Sequence, residues 1–212
     1  MITGFNPEQV AASINGVKAA YNNLMNALKG RMQNEFVGGM TTVWACDEAQ
    51  TFFTNSFKPA IDSLITQSTT IFQSVVVAMN SAASNWASST GTSWASISFE
   101  PMNTLVDVTG IQTSINGVKG IDLLSVVAVK AKLAIILSDA QSALQQAINA
   151  VQNSGFAGGS QGENLIASLG TIKTNIENAT SDITTATETS INNTVTAYGD
   201  LGGKVAAAFS AQ

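Results

Sequence analysis

Few residues of this sequence are equipped for chemistry, and their spacing does not bring them together for it. Histidine is absent, which removes the imidazole from every scheme of nucleophilic catalysis, proton transfer or metal ligation. The only cysteine is Cys46, so the chain can close no internal disulfide and assemble no thiolate zinc site. The carboxylates are scattered, with no pair set for general acid–base work. There is no Walker loop and no glycine-rich dinucleotide turn. The sequence therefore predicts a non-enzymatic protein, with no catalytic residue, no bound cofactor and no metal ligand.

Charge narrows the binding roles. The net charge is −5 and no stretch is rich in Lys or Arg, which argues against nucleic acid and against an anionic membrane surface. Charged residues make up only 11 % of the chain, well under the usual share of about 25 %. Ser, Thr, Asn and Gln take the solvent-facing positions instead. Apolar residues reach 45 % of 212 residues, enough for a substantial core. The most apolar stretch, LLSVVAVKAKLAIIL at 123–137, is broken by Lys130 and Lys132. It falls short of a stable membrane span. The opening MITGFNPEQV lacks the basic-then-apolar order of a signal peptide.

The elements expected to carry these residues are helices. Asn6 as cap, Pro7 at the first position and Gln9 in a capping-box pattern open the first. Val10, Ile14, Val17, Tyr21, Leu24 and Leu28 form an apolar seam that wants partner helices; it fades near Phe36, and Gly38-Gly39 is the expected end. Asp47 and Glu48 open a second helix, where negative charge suits the dipole. Its seam through Phe53, Phe57, Leu64, Ile71 and Val75 runs to about Trp86, and Pro59 inside it predicts a bulge or kink. Residues 88–104 read as a connector, packing down through Trp94, Ile97 and Phe99, with room for a short strand. The third helix is expected from near Leu105 to about Val151, weakened early by Gly110, Gly117 and Gly120. Ser160 and Glu163 open a fourth, with Leu165, Leu169, Ile172, Ile176 and Ile183 on its seam.

The hexapeptide SINGVK occurs twice, from Ser13 and from Ser114, and suggests a duplicated unit. The reading that follows is all-α: an antiparallel four-helix bundle made of two fused hairpins, 1–87 and 105–212, joined by 88–104. The longer spacing from Lys119 to Phe156 than from Lys18 to Trp44 predicts a third helix longer than the first. The duplicated hairpins would form an intramolecular pseudo-dimer, leaving the chain a monomer or weak oligomer.

The turn Val43-Trp44-Ala45-Cys46-Asp47-Glu48-Ala49, followed by Phe53, Phe57 and Leu64, resembles the hairpin turn of the WXG (ESAT-like) family, substrates of type VII secretion. That family carries Trp-x-Gly in the turn between two helices, and its members pair into four-helix bundles. Here Cys46 replaces the glycine. In the second half, Phe156-Ala157-Gly158 stands in for the motif, with Phe156 for the Trp and Gly158 in place. The family's tail motif, Tyr-x-x-x-Asp/Glu, has its nearest counterpart at Tyr198, where Asp200 lies two positions on, so the motif does not match. The resemblance implies export without a signal peptide, from the cytoplasm to the medium or cell surface. It also implies a protein partner, either the secretion machinery or a co-secreted effector, engaged helix to helix; an exposed apolar stripe is expected at the bundle ends or on the third helix. Two other classes fit the same composition: a helical pore-forming toxin component, inserting through 121–137, and a helical assembly subunit. The patterns Asn178-Ala-Thr180 and Asn192-Asn-Thr194 match glycosylation acceptors at low specificity.

Overall fold

The computed structural model describes residues 6–102, 104–155 and 160–210, with 199–210 described as backbone only. The chain is all-α, with four long helices: α1 (Pro7–Met25), α2 (Lys58–Thr90), α3 (Leu123–Gln152) and α4 (Ser160–Ser210). It divides into two compact units, each taking segments from every part of this order. One comprises Met1–Lys29, Ser63–Leu105 and Leu137–Glu177, the other Gly30–Asp62, Val106–Ile136 and Asn178–Gln212.

In the first unit, α1 starts where its cap predicts. The Asn6 side chain accepts the backbone N–H groups of Glu8 and Gln9. The return arm of a capping box is not made, because the Gln9 amide donates instead to the Asn153 carbonyl at 2.7 Å. Asn23 donates to Gln146 at 3.1 Å, and a Cβ on Gly16 would sit 3.1 Å from that of Ala150. Ascending positions of α1 thus meet descending positions of α3, so the two run antiparallel. The Tyr21 hydroxyl lies 3.0 Å from that of Thr69, and its ring packs tilted on Phe72, tying α1 to α2. Asn175 of α4 donates to Gln67 of α2, and Lys173 of α4 donates to Gln145 of α3. The four helical segments therefore close a ring of contacts around Val10, Ile14, Val17, Leu24, Phe72 and Leu144, all buried. This is a four-helix bundle.

The first helix does not end at Gly38-Gly39. It continues from α1 through a π-helical stretch, Asn26–Val37, into a final turn, Gly38–Met40. A π-helix closes a wider turn than an α-helix. The buried positions follow the change: Leu24, Leu28, Met32, Phe36 and Met40 recur every four residues. Gly39 sits where a Cβ would lie 2.9 Å from Val129 of α3. The second helical run opens with Asp47–Phe52 and then widens into a π-turn, Phe53–Phe57, directly before Pro59. In an α-helix the Pro59 ring would clash with the carbonyl four residues back. The wider turn relieves this, and the Lys58 N–H reaches the Phe53 carbonyl, five residues back.

The third helix departs from expectation. It begins at Leu123, not near Leu105, and at 30 residues is no longer than the first helical run. The two copies of SINGVK also differ. The first lies inside α1. The second forms a tight turn, with Ile115 and Val118 exchanging both backbone hydrogen bonds at 2.9 Å. Asn116 (φ 51°) and Gly117 (φ 79°) take the left-handed conformations that an Asn-Gly hairpin turn needs. Flanking sequence decides between them. The first copy is embedded in an apolar seam that α3 and α2 cover, whereas the second sits between Gly110 and Gly120 with no seam to extend. The shared hexapeptide is not a repeated structural unit.

Among its described residues the connector 91–122 contains no helix. Trp94, Ile97 and Phe99 are half-buried as expected, while no strand forms between 88 and 104 among the described residues. The strands are two-residue pieces elsewhere: β1 (Trp44–Ala45) pairs antiparallel with β2 (Gly120–Ile121) in the second unit, Trp44 opposite Ile121. In that unit the connector is also held by side chains. Gln33 makes both backbone bonds of Asp107, and Asp62 accepts the Val106 N–H while Lys58 donates to the Val106 carbonyl.

Gly39→Ala is expected to destabilise the chain by about 1–3 kcal/mol through overpacking against Val129. Adding Val129→Ala should recover part of that loss in a urea melt; strict additivity of the two changes would contradict the close approach.

Candidate functional site

The turn that carries Trp44 is built as a buried plug in the second unit. The Trp44 indole is fully buried, stacked on Phe52 at 5.7 Å and edge-on to Phe53 at 6.0 Å. Phe53 and Phe57 continue the aromatic packing to Phe36. Burying an indole strands its N–H unless a partner is found. Trp44 Nε1 donates to the Thr194 hydroxyl of α4 at 3.1 Å, and that hydroxyl donates onward to the Ser190 carbonyl. This explains why Thr194 is buried. It also removes the Asn192-Asn193-Thr194 pattern as an accessible acceptor, since its hydroxyl is committed inside a helix.

Cys46 has a definite role that its residue type did not announce. Its backbone is extended and its sulfur accepts the Ala49 N–H at 3.4 Å, capping the helix Asp47–Phe52. The Thr194 hydroxyl lies 3.7 Å from the same sulfur. Burial pushes the Cys46 thiol up from its ordinary value, outweighing the Ala49 and Thr194 hydrogen bonds that favour the thiolate. The thiol is therefore protonated at neutral pH and poorly nucleophilic.

Tyr198 belongs to the same region. It is half-buried on α4, and its hydroxyl is pushed up by desolvation and then by the neighbouring Cys46, Glu48 and Asp47, against the pull of Lys119. Lys119 is itself raised by its 2.8 Å ion pair with Asp47. So Trp44, Cys46 and Tyr198 converge. Asp200 lies in α4, with only its backbone described, and Phe156 and Gly158 lie outside the described residues.

The feature most open to a partner is the outer face of α3 in this unit. Asp122 caps the helix, its carboxylate accepting both the N–H and the hydroxyl of Ser125; these bonds hold its carboxyl below the usual range. Val126, Val129, Leu133 and Ile136 face inward and are buried. Leu124 is 86 % exposed, Val127 62 % and Ile135 55 %. Ala128, Ala131 and Ala134 are exposed on the same side. Helical spacing places Leu124, Val127, Ala128, Ala131 and Ile135 on one stripe. Beyond Ile135 the exposed positions of α3 turn polar: Ser138, Ser142, Gln145, Gln146 and Asn149. Single exposed apolar residues are ordinary on a protein surface, whereas a continuous exposed stripe is not. Its flanks are basic. Lys132 is exposed, and Lys130 pairs with Glu188 of α4.

Among the described residues no helix is long and apolar enough to cross a membrane, and no cluster of three His, Cys, Asp or Glu side chains could hold a metal ion. Compared with protein-family models, curated proteins and solved structures, the chain matches none.

Two outcomes follow from the plug. Thr194→Val should cost about 1–3 kcal/mol by orphaning the buried indole N–H. The same change should cost less in a Trp44→Phe background, as a double-mutant cycle on thermal melts would reveal. Because the folded state disfavours the Cys46 thiolate, the thiol's contribution to stability is complete below the unfolded pKa. It falls as pH rises above the unfolded value of about 8.5. Cys46→Ser should keep the cap and lose this part of the alkaline decline.

Proposed function

We propose that this chain is a non-enzymatic interaction protein that docks a helix of another protein on the outer face of α3. The observation that carries the reading is the exposed apolar stripe from Leu124 to Ile135, which stops where the same face becomes polar. A partner helix with apolar residues at positions i, i+3 or i+4, and i+7 would cover it. Alanines at 128, 131 and 134 permit a close approach. The flanking Lys132 favours a partner with a carboxylate beside its apolar face.

A narrower form of this reading makes the protein WXG-like: a type VII secretion substrate or the co-secreted partner of an effector. It is supported by the helix–turn–helix of the first half and by Trp44 in its turn. It draws no support from the second half, where the hexapeptide copy is not helical. The broad and narrow forms are separately testable.

For docking, a photo-crosslinking residue at Val127 is expected to capture a partner in the native host, and one at Ser142 is not. Leu124→Glu with Val127→Glu should abolish that capture while leaving the melting temperature within a few degrees, since both positions are exposed. Equal capture from both positions would overturn the docking face. Dye release from liposomes, lost in the same double variant, would assign the face to lipid instead. For export, release of the protein into the medium is expected to require the type VII motor ATPase. Equal retention in the presence and absence of that ATPase would end the narrower reading and leave the docking reading intact.

A further inference from the structure

In the first unit the extended connector and helix α2 form an open cleft of about 500 Å³. That volume is in the range of small-ligand sites. The cleft exists because one side chain holds the connector against the helix. Asn80 Oδ1 accepts the Ile97 N–H at 2.9 Å and the Trp94 indole N–H at 3.1 Å. Its Nδ2 donates to the Ile97 and Val76 carbonyls. Every hydrogen-bonding position of Asn80 is thus spent on the wall, and none is left for a ligand.

The lining has two parts. Val76, Val77, Ile97 and Phe99 supply apolar surface. Phe99 is braced from behind by Tyr21, whose ring lies 4.7 Å away and whose hydroxyl accepts the Met102 N–H. Around these stand Gln73, Ser81, Ser84, Asn85, Ser96 and Ser98, none with a hydrogen-bond partner among the described residues. No charged residue lines the cleft. A charged ligand would find no opposite charge in this lining. Hydroxyls and carboxamides both donate and accept, so the free groups match a ligand whose own groups do the same. The apolar floor matches the C–H face of a sugar ring. An added peptide strand fits less well, because both backbone groups of Ile97 are already taken by Asn80.

We propose that this cleft binds a neutral oligosaccharide, with the serine and amide side chains meeting its hydroxyls and Val77 and Phe99 beneath its rings. The test is a ¹H–¹⁵N NMR titration of the full chain with maltotriose, cellotriose and N,N′,N″-triacetylchitotriose. A trisaccharide of uronic acids serves as the charged control. Saturable shifts confined to Gln73–Asn85 and Ser96–Phe99 are expected with at least one neutral probe. Val77→Trp, an exposed position, should weaken that binding by about tenfold or more. Ser98→Trp, on the connector, should do the same. Leu124→Glu, on α3, should leave it unchanged. No saturable shift with any neutral probe would overturn the proposal. So would shifts that survive both tryptophan variants, or tighter binding of the charged control.

Discussion

The constraint on which this fold depends is the burial of apolar seams in a chain with little charge. With charged residues at 11 %, ion pairs contribute little and most of those present are exposed or half-exposed, where such pairs are weak. Stability must come from removing Val, Ile, Leu and Phe from water. No helix here can do that alone. In the first unit the solution is a ring of four helical segments, each touching two others. In the second it is an aromatic plug at the turn, where Trp44, Phe52, Phe53, Phe57 and Phe36 pack in succession.

The same constraint explains why the helices are irregular. A seam must stay on one side over a long run, and a fixed 3.6-residue winding can carry it off that side. The π-helical stretch Asn26–Val37 changes the winding, and Leu28, Met32 and Val37 stay buried with it. The π-turn Phe53–Phe57 has a separate local cause, the missing N–H and the bulk of Pro59. Both widenings lie beside Phe36, Phe53 and Phe57, which need room for large rings.

Much of the helical content was legible in the sequence, because seams, caps and proline carry local physics. The start of α1 at Pro7, the opening of the second run at Asp47 and the disturbance before Pro59 follow from those signals. The wider winding after Leu24 had a signal too, in the shift from alternating three and four to a steady spacing of four at Leu24, Leu28, Met32, Phe36 and Met40. The start of α3 was not legible, because apolar residues at 105, 106, 108 and 111 imitate a seam. Only tertiary pairing of Asp122 N–H with the Val43 carbonyl, and of β2 with β1, fixes where the helix begins. The SINGVK copies were misleading for the same reason: six residues do not determine a conformation when Asn-Gly is at home in a hairpin turn and tolerated in a covered helix. Of the site residues, Trp44 was legible as an end plug from its type and position. The capping role of Cys46 was not, since sulfur is a weak acceptor and no spacing rule points to it.

The stripe on α3 is informative because it breaks the rule that governs the rest of the molecule. Elsewhere in the described helices most large apolar residues are buried; Val77, Trp86 and Val195 are exposed singly, among exposed positions that are mostly polar, acidic or Ala. α3 itself obeys this beyond Ile135, so its composition alone does not force apolar residues outward. Leu124, Val127 and Ile135 could each be replaced by polar residues without disturbing Val126, Val129 or Leu133 on the inner face. Leaving three large apolar side chains in water on a lightly charged surface favours association, since few like charges keep copies of the chain apart. That liability is the argument behind the proposed docking face. On that proposal the complementary surface, an apolar stripe with a carboxylate at its edge, follows from Leu124, Val127, Ile135 and Lys132.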